Sequence, residues 1–234
     1  MNKRTRRVIG VSVLLMVTAL ACTCNIPFLP GTETPPPPPP SAETPPPPPP
    51  SALFQDDFSD MGSGWEVGDY EGGSVGYKDG AYSVRSEEDG SVMWGVANRS
   101  FDDLVIEVDA TQISAPANNN NAYGVKCREQ SDGDGYGLMV SGDGYYSIQI
   151  VVDGDWEPLV DWTTSDVIQQ GNAANHIRAV CDGSKLVLFV NGQLLADTTD
   201  NTYTEGDIAL AASTLEDEPT EVHFDNLVVH KPQR

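Results

Sequence analysis

From residue 53 onward apolar positions recur at every second residue in short runs, and no stretch sustains the spacing of an amphipathic helix. The clearest runs predict strands over 103–110, 122–129, 136–141, 145–152, 176–181, 185–190, 208–212 and 221–230. Asp-Gly or Asn-Gly pairs punctuate the chain at 79–80, 89–90, 132–133, 134–135, 143–144, 153–154, 182–183 and 191–192. Such pairs accept the positive φ angles that tight hairpins need. About a dozen strands with no helix to cover them must bury their apolar faces against one another. The pattern predicts an all-β fold: a two-sheet antiparallel β-sandwich of jelly-roll type.

Alternation also separates the two faces of each strand. Tyr146, Ile148, Ile150 and Val152 are expected in the core, as are Leu186, Leu188 and Val190. The opposite positions carry Tyr145, Ser147 and Gln149, and other strands contribute Lys126, Arg128 and Arg178, with Glu107 and Asp109 on the polar side of theirs. Two readings of this polar set stand open: a ladder of cross-strand ion pairs, or a platform that hydrogen-bonds sugar hydroxyls. Cys127 follows Tyr123 and Val125 on one strand face, and Cys181 follows Ile177 and Ala179 on another, so a buried disulfide between them is expected. Cys24 is left over.

The first 52 residues read differently. A basic start (Lys3, Arg4, Arg6, Arg7) leads into an apolar run from Val8 to Ala21. That run of about 14 residues suits a secretory signal and is short for a span, which takes about 20. Thr18-Ala19-Leu20-Ala21-Cys22 resembles the lipobox of bacterial lipoproteins, in which the cysteine becomes the lipidated first residue. The expected division is a lipoprotein signal over 1–21, lipidated Cys22 with a tether over 22–52, and the sandwich over 53–234. Ordinary secretion with cleavage nearby, or an uncleaved anchor, is the alternative. Residues 33–52 are a repeated ten-residue unit, Glu-Thr, six prolines, Ser-Ala. Each proline run should form a polyproline rod of roughly 19 Å. The expected location is the cell envelope, with the domain lifted from the outer face of a membrane it touches only through the lipid.

Charge narrows the partners. Four of the 13 basic residues lie in the leader, so the remainder carries 9 against 35 acidic, a net charge of −26. Such a chain has no field that attracts nucleic acid.

The opening Leu53-Phe54-Gln55-Asp56-Asp57-Phe58-Ser59-Asp60 through Gly64-Trp65, and the closing Val222-His223-Phe224-Asp225-Asn226-Leu227-Val228-Val229, are similar to concanavalin A-like lectin/glucanase domains. The hairpin Phe189-Val190-Asn191-Gly192-Gln193 resembles the laminin G-like branch, and residues 53–231 as a whole resemble 3-keto-disaccharide hydrolase-like domains. This resemblance implies a carbohydrate or extracellular-polymer partner, with hydrolysis of 3-keto-disaccharides or related glycosides, or a purely adhesive role, as alternatives. It also implies that Arg128, at the end of a strand led by Asn118–Asn121, faces the ligand. The Asn-Ser-Gly element usual there is replaced by Asn121-Ala122-Tyr123-Gly124.

Catalytic chemistry finds little support. Glu107-Val108-Asp109 starts like the Glu-x-Asp-x-x-Glu strand of one glycoside hydrolase family, but Gln112 stands where the last acid is needed. No catalytic residues are assigned and no cofactor is required. Related sandwiches hold a structural calcium ion between first and last strands, which points to Asp57 and Asp225. Sugar faces pack on aromatic rings, so the expected binding set is Arg128, Tyr145, Gln149 and Arg178 with Trp156, which follows a hairpin turn. Trp65 and Trp94 are expected in the core, Trp94 because it alternates with Val92 and Val96. Trp162 fits either role.

Overall fold

A computed structural model describes residues 51–233; the signal, Cys22, Cys24 and the proline rods lie outside the described residues. The strands are β1 (Ala52–Asp56), β2 (Gly68–Tyr70), β3 (Gly73–Lys78), β4 (Ala81–Ser86), β5 (Val92–Val96), β6 (Leu104–Ser114), β7 (Asn121–Glu129) and β8 (Gly135–Val140). They continue with β9 (Tyr145–Val152), β10 (Asp155–Thr164), β11 (Ala174–Asp182), β12 (Lys185–Val190), β13 (Gln193–Thr199), β14 (Asp207–Thr214) and β15 (Thr220–His230). All described pairings are antiparallel. One sheet has nine strands in the order β13-β12-β11-β6-β15-β4-β3-β2, with β1 also paired to β15; the other has six, β10-β9-β8-β7-β14-β5. Turn chemistry sets the hairpins as expected. Asp79-Gly80, Asp153-Gly154 and Asn191-Gly192 each place two residues at positive φ between strands, the geometry whose twist matches flanking strands.

The core lies between the sheets. Ile148 and Ile150 meet Leu186, Leu188 and Val190 there, and Tyr146 packs against them partly buried. Val152 departs from expectation: it closes β9 beside the Asp153-Gly154 turn and is exposed. At one end, Phe58, Trp65, Tyr77 and Tyr82 form an aromatic cluster with ring centroids 5.0–6.4 Å apart. Trp65 is buried as predicted, and its indole N–H donates to the buried Asp56 carboxylate at 3.1 Å. Gly95 is required opposite this cluster, since a Cβ there would sit 1.8 Å from the Tyr82 hydroxyl. Cys127 of β7 and Cys181 of β11 form the predicted disulfide, which ties the two sheets together through the core.

The outer face of the nine-stranded sheet carries an ion-pair ladder. Glu107 meets His230 at 3.0 Å, His176 at 3.4 Å and Arg178 at 3.5 Å; Asp109 meets His176 at 2.8 Å. Further along, Glu221 accepts from Lys78 at 2.6 Å and from His223 at 2.8 Å. Burial alone would raise the Glu221 carboxyl, but these donors hold it down at about 2. Its stabilising contribution is therefore present above the ordinary carboxylate pKa and is lost as pH falls through about 2. Glu221→Gln should cost about 2 kcal/mol at neutral pH, the gap between variant and parent closing toward pH 2 in denaturant melts.

Candidate functional site

The register of the six-stranded sheet defines its outer face row by row. One row runs Val96, Ala209, Lys126, Gly137, Gln149 and Pro158; the next runs Trp94, Ala211, Gly124, Met139 and Ser147. Gly124, Gly137, Ala209, Ala211 and Ser147 carry small side chains or none, so the middle of the face is a low bed on which something larger can lie. Two indoles do. The Trp156 ring, brought in by the β9–β10 hairpin, lies over Gly137, where a Cβ would come within 2.5 Å of Cζ3. Trp94 stands at the edge strand β5 and packs with Trp156 against Ala122, Met139 and Ala211. Gly137→Ala should lift the Trp156 ring into solvent, shifting tryptophan emission to the red and costing about 1–3 kcal/mol through overpacking.

Lys126 lies beneath the indoles. Its ammonium is 4.6 Å from the Trp94 ring centroid and 5.2 Å from that of Trp156, within cation–π range of both. It donates to the Gly133 carbonyl at 2.7 Å and pairs with Glu129 at 2.5 Å, with both side chains buried. Burial pushes the Lys126 pKa down and raises Glu129 to about 7, in each case against the pull of the partner charge. The charges are thus confined below the surface, and indole edges and faces are what the bed presents. Three clefts border it. One of about 870 Å³ is flanked by Trp94, Glu66, Tyr70, Glu129 and Asp132. One of about 230 Å³ runs between Trp94 and Trp156. The third, of about 300 Å³, lies by Tyr145 and Trp162.

The expected binding set is divided by this geometry. Trp156, Gln149 and Tyr145 share the outer face of the six-stranded sheet; Gln149 is nearly buried and donates to the Ser147 hydroxyl at 3.3 Å. Arg178 is on the other sheet, where it stacks on Phe189 at 4.7 Å and pairs with Glu107. Alternation gives the face of a strand but not the sheet it belongs to, so the expected single polar platform is two separate surfaces. Arg128 is not ligand-facing: it is 0% exposed. It has φ 54°, and the pairing between β7 and β14 shifts at this point, so Arg128 is the extra residue of a bulge. The bulge turns its guanidinium to the Tyr203 carbonyl (2.9 Å) and Asp103 (3.3 Å), and moves Glu129 beside Lys126 instead.

Trp94 was expected in the main core and is instead half-buried on the outer face, because Met93 and Ala97 carry the inward phase of that strand. Trp162 is 38% exposed. Glu129 and Trp94 are the site residues that sequence alternation misses, the first because a bulge has no local signature here. Asp57 directly follows β1 and Asp225 lies in β15, the first and last strands, which pair with each other. Each carboxylate accepts from a neighbouring backbone N–H, of Ser59 and Asn226 respectively. Among the described residues no group of three or more His, Cys, Asp or Glu converges to hold a metal.

No family model matches this chain, and no curated protein matches it. Solved structures do. The carbohydrate binding module CBM66 from Bacillus subtilis aligns with a TM-score of 0.60 at 18% identity, over 72% of this chain and 96% of that one. A Bacillus licheniformis beta-glucanase aligns with a TM-score of 0.58 at 13% identity, over 77% and 98%. A Bacillus subtilis protein of unknown function with a galectin-like fold gives 0.58 at 13% identity, over 77% and 96%. At these identities the likeness establishes architecture: the chain has the concanavalin A-like jelly-roll fold shared by these domains.

Proposed function

We propose that this protein is a lipid-anchored, extracytoplasmic module that binds carbohydrate on the outer face of its six-stranded sheet. The observation that carries the reading is the pair of indoles, Trp94 and Trp156, laid over a bed of glycine, alanine and serine beside open clefts. Pyranose rings have apolar faces that pack on indole, while their hydroxyls take amides and carboxylates such as Gln149 and Asp132. Domains with this fold include a carbohydrate binding module and a glucanase, which supports a sugar ligand. The leader, Cys22 and the proline repeat support display at a distance from a membrane. Binding without catalysis is favoured because Glu107 and Asp109, the acids that most resembled a catalytic strand, lie on the opposite sheet within the ion-pair ladder. A glycan-array screen of the protein tests the reading: saturable binding supports it, turnover of a bound glycoside replaces it with hydrolysis, and silence across the array contradicts it.

A further inference from the structure

The same sheet carries a second pair of aromatic side chains apart from the two-indole platform. Tyr145 begins β9 and Trp162 lies near the end of β10, and both are 38% exposed. They face one cleft of about 300 Å³, together with Asn120, Ser141 and Asp143. Register fixes their distance from the first pair. The Trp156 ring covers Gly137, whose partner on β9 is Gln149, and Tyr145 is four residues further along that strand. At the rise of a β-strand this is about 13 Å. A single sugar ring cannot touch both pairs, whereas several linked rings can.

The polar surroundings restrict the ligand further. Among the described residues, no lysine, arginine or histidine lines any of the three clefts, while Glu66, Glu71, Asp132 and Asp143 do. Lys126 offers no compensation, being fully buried and paired with Glu129. A uronic acid or sulfated sugar would bring uncompensated negative charge to this surface.

We propose that the ligand is an extended chain of uncharged sugars spanning the face, held by Trp94 and Trp156 toward one end and by Tyr145 and Trp162 at the other. This rests on the carbohydrate reading above. The test is calorimetric titration with di- to octasaccharide ladders from laminarin, cellulose, xylan and chitin, with oligogalacturonates as the anionic counterpart. On the ladder that binds, affinity should rise about tenfold or more between disaccharide and hexasaccharide. The double variant Tyr145→Ala/Trp162→Ala should lose about tenfold for the hexasaccharide and nothing for the disaccharide. Its unfolding midpoint, measured alongside, should match the parent because both rings are at the surface. Length-independent affinity, or a hexasaccharide affinity unmoved in that variant, overturns the proposal while leaving the two-indole reading in place. Oligogalacturonate binding as tight as that of the neutral chains overturns it also. Failure of every ladder to bind counts against the carbohydrate reading itself.

Discussion

Replacing Cys127 and Cys181 together with alanine is expected to lower the free energy of unfolding by about 4 kcal/mol. The bridge closes 54 residues of sequence, and in the chain-entropy treatment a loop of that length restricts the unfolded ensemble by about 4 kcal/mol. Its position adds to the effect. β7 belongs to the six-stranded sheet and β11 to the nine-stranded one, so the bond adds a covalent link between layers that otherwise adhere through side-chain packing and a few hydrogen bonds such as Asn175 to Tyr123. Both sulfurs sit among Tyr123, Val125, Ile177 and Ala179, fully buried. Alanine is the cleaner substitution, because serine would leave two buried hydroxyls in need of partners. For a domain of this size the melting temperature should fall by roughly 10 °C. Denaturant melts of parent and variant check the value; a difference below about 1 kcal/mol would show that the bridge contributes little beyond the packing around it.

Replacing Trp94 and Trp156 together with alanine is expected to weaken glycan binding by about a hundredfold or more. Aromatic anchors of a binding face are each commonly worth about 2 kcal/mol, and two in one site exceed a hundredfold in affinity. The double variant also uncovers Lys126 and Glu129, replacing an apolar surface with a hydrated ion pair. The informative control is Arg178→Ala. Arg178 was a candidate ligand residue by alternation, yet it lies on the other sheet, stacked on Phe189. Its removal should leave affinity within about twofold, measured by the same titration. Loss of binding in Arg178→Ala with retention in the tryptophan variant would assign the site to the nine-stranded sheet.

These two variants also mark what the amino-acid sequence alone makes legible. All eight strands expected from alternation form, from β6 and β7 through to β15, because each is bounded by a turn pair or a polar break and buries one face. The disulfide was legible for the same reason: alternation put both cysteines on inward faces. The strand β10 was not, since Pro158 and two irregularities in its pairing break the period of two. The site was half legible. Tyr145 and Gln149 lie where their phase predicts and Trp156 where its hairpin turn does, but Arg128 does not follow its phase, because it is itself the extra residue of a bulge. Trp94 was misplaced because its flanking Val92 and Val96 are apolar although they point outward, a pattern that only the small residues of the facing strands explain. The separation of Arg178 from Lys126 is a property of topology, which distributes strands between sheets after their local pattern is already satisfied.

The central claim is that carbohydrate binds over Trp94 and Trp156. The chain has four tryptophans, and each indole N–H gives a separate resonance in a nitrogen-correlated NMR spectrum. Trp65 is buried in the core and bonded to Asp56, so it serves as an internal reference. On titration with the glycan selected by the array, the Trp94 and Trp156 resonances should move and saturate together while Trp65 stays fixed. Saturable binding that leaves Trp94 and Trp156 unmoved would contradict the account.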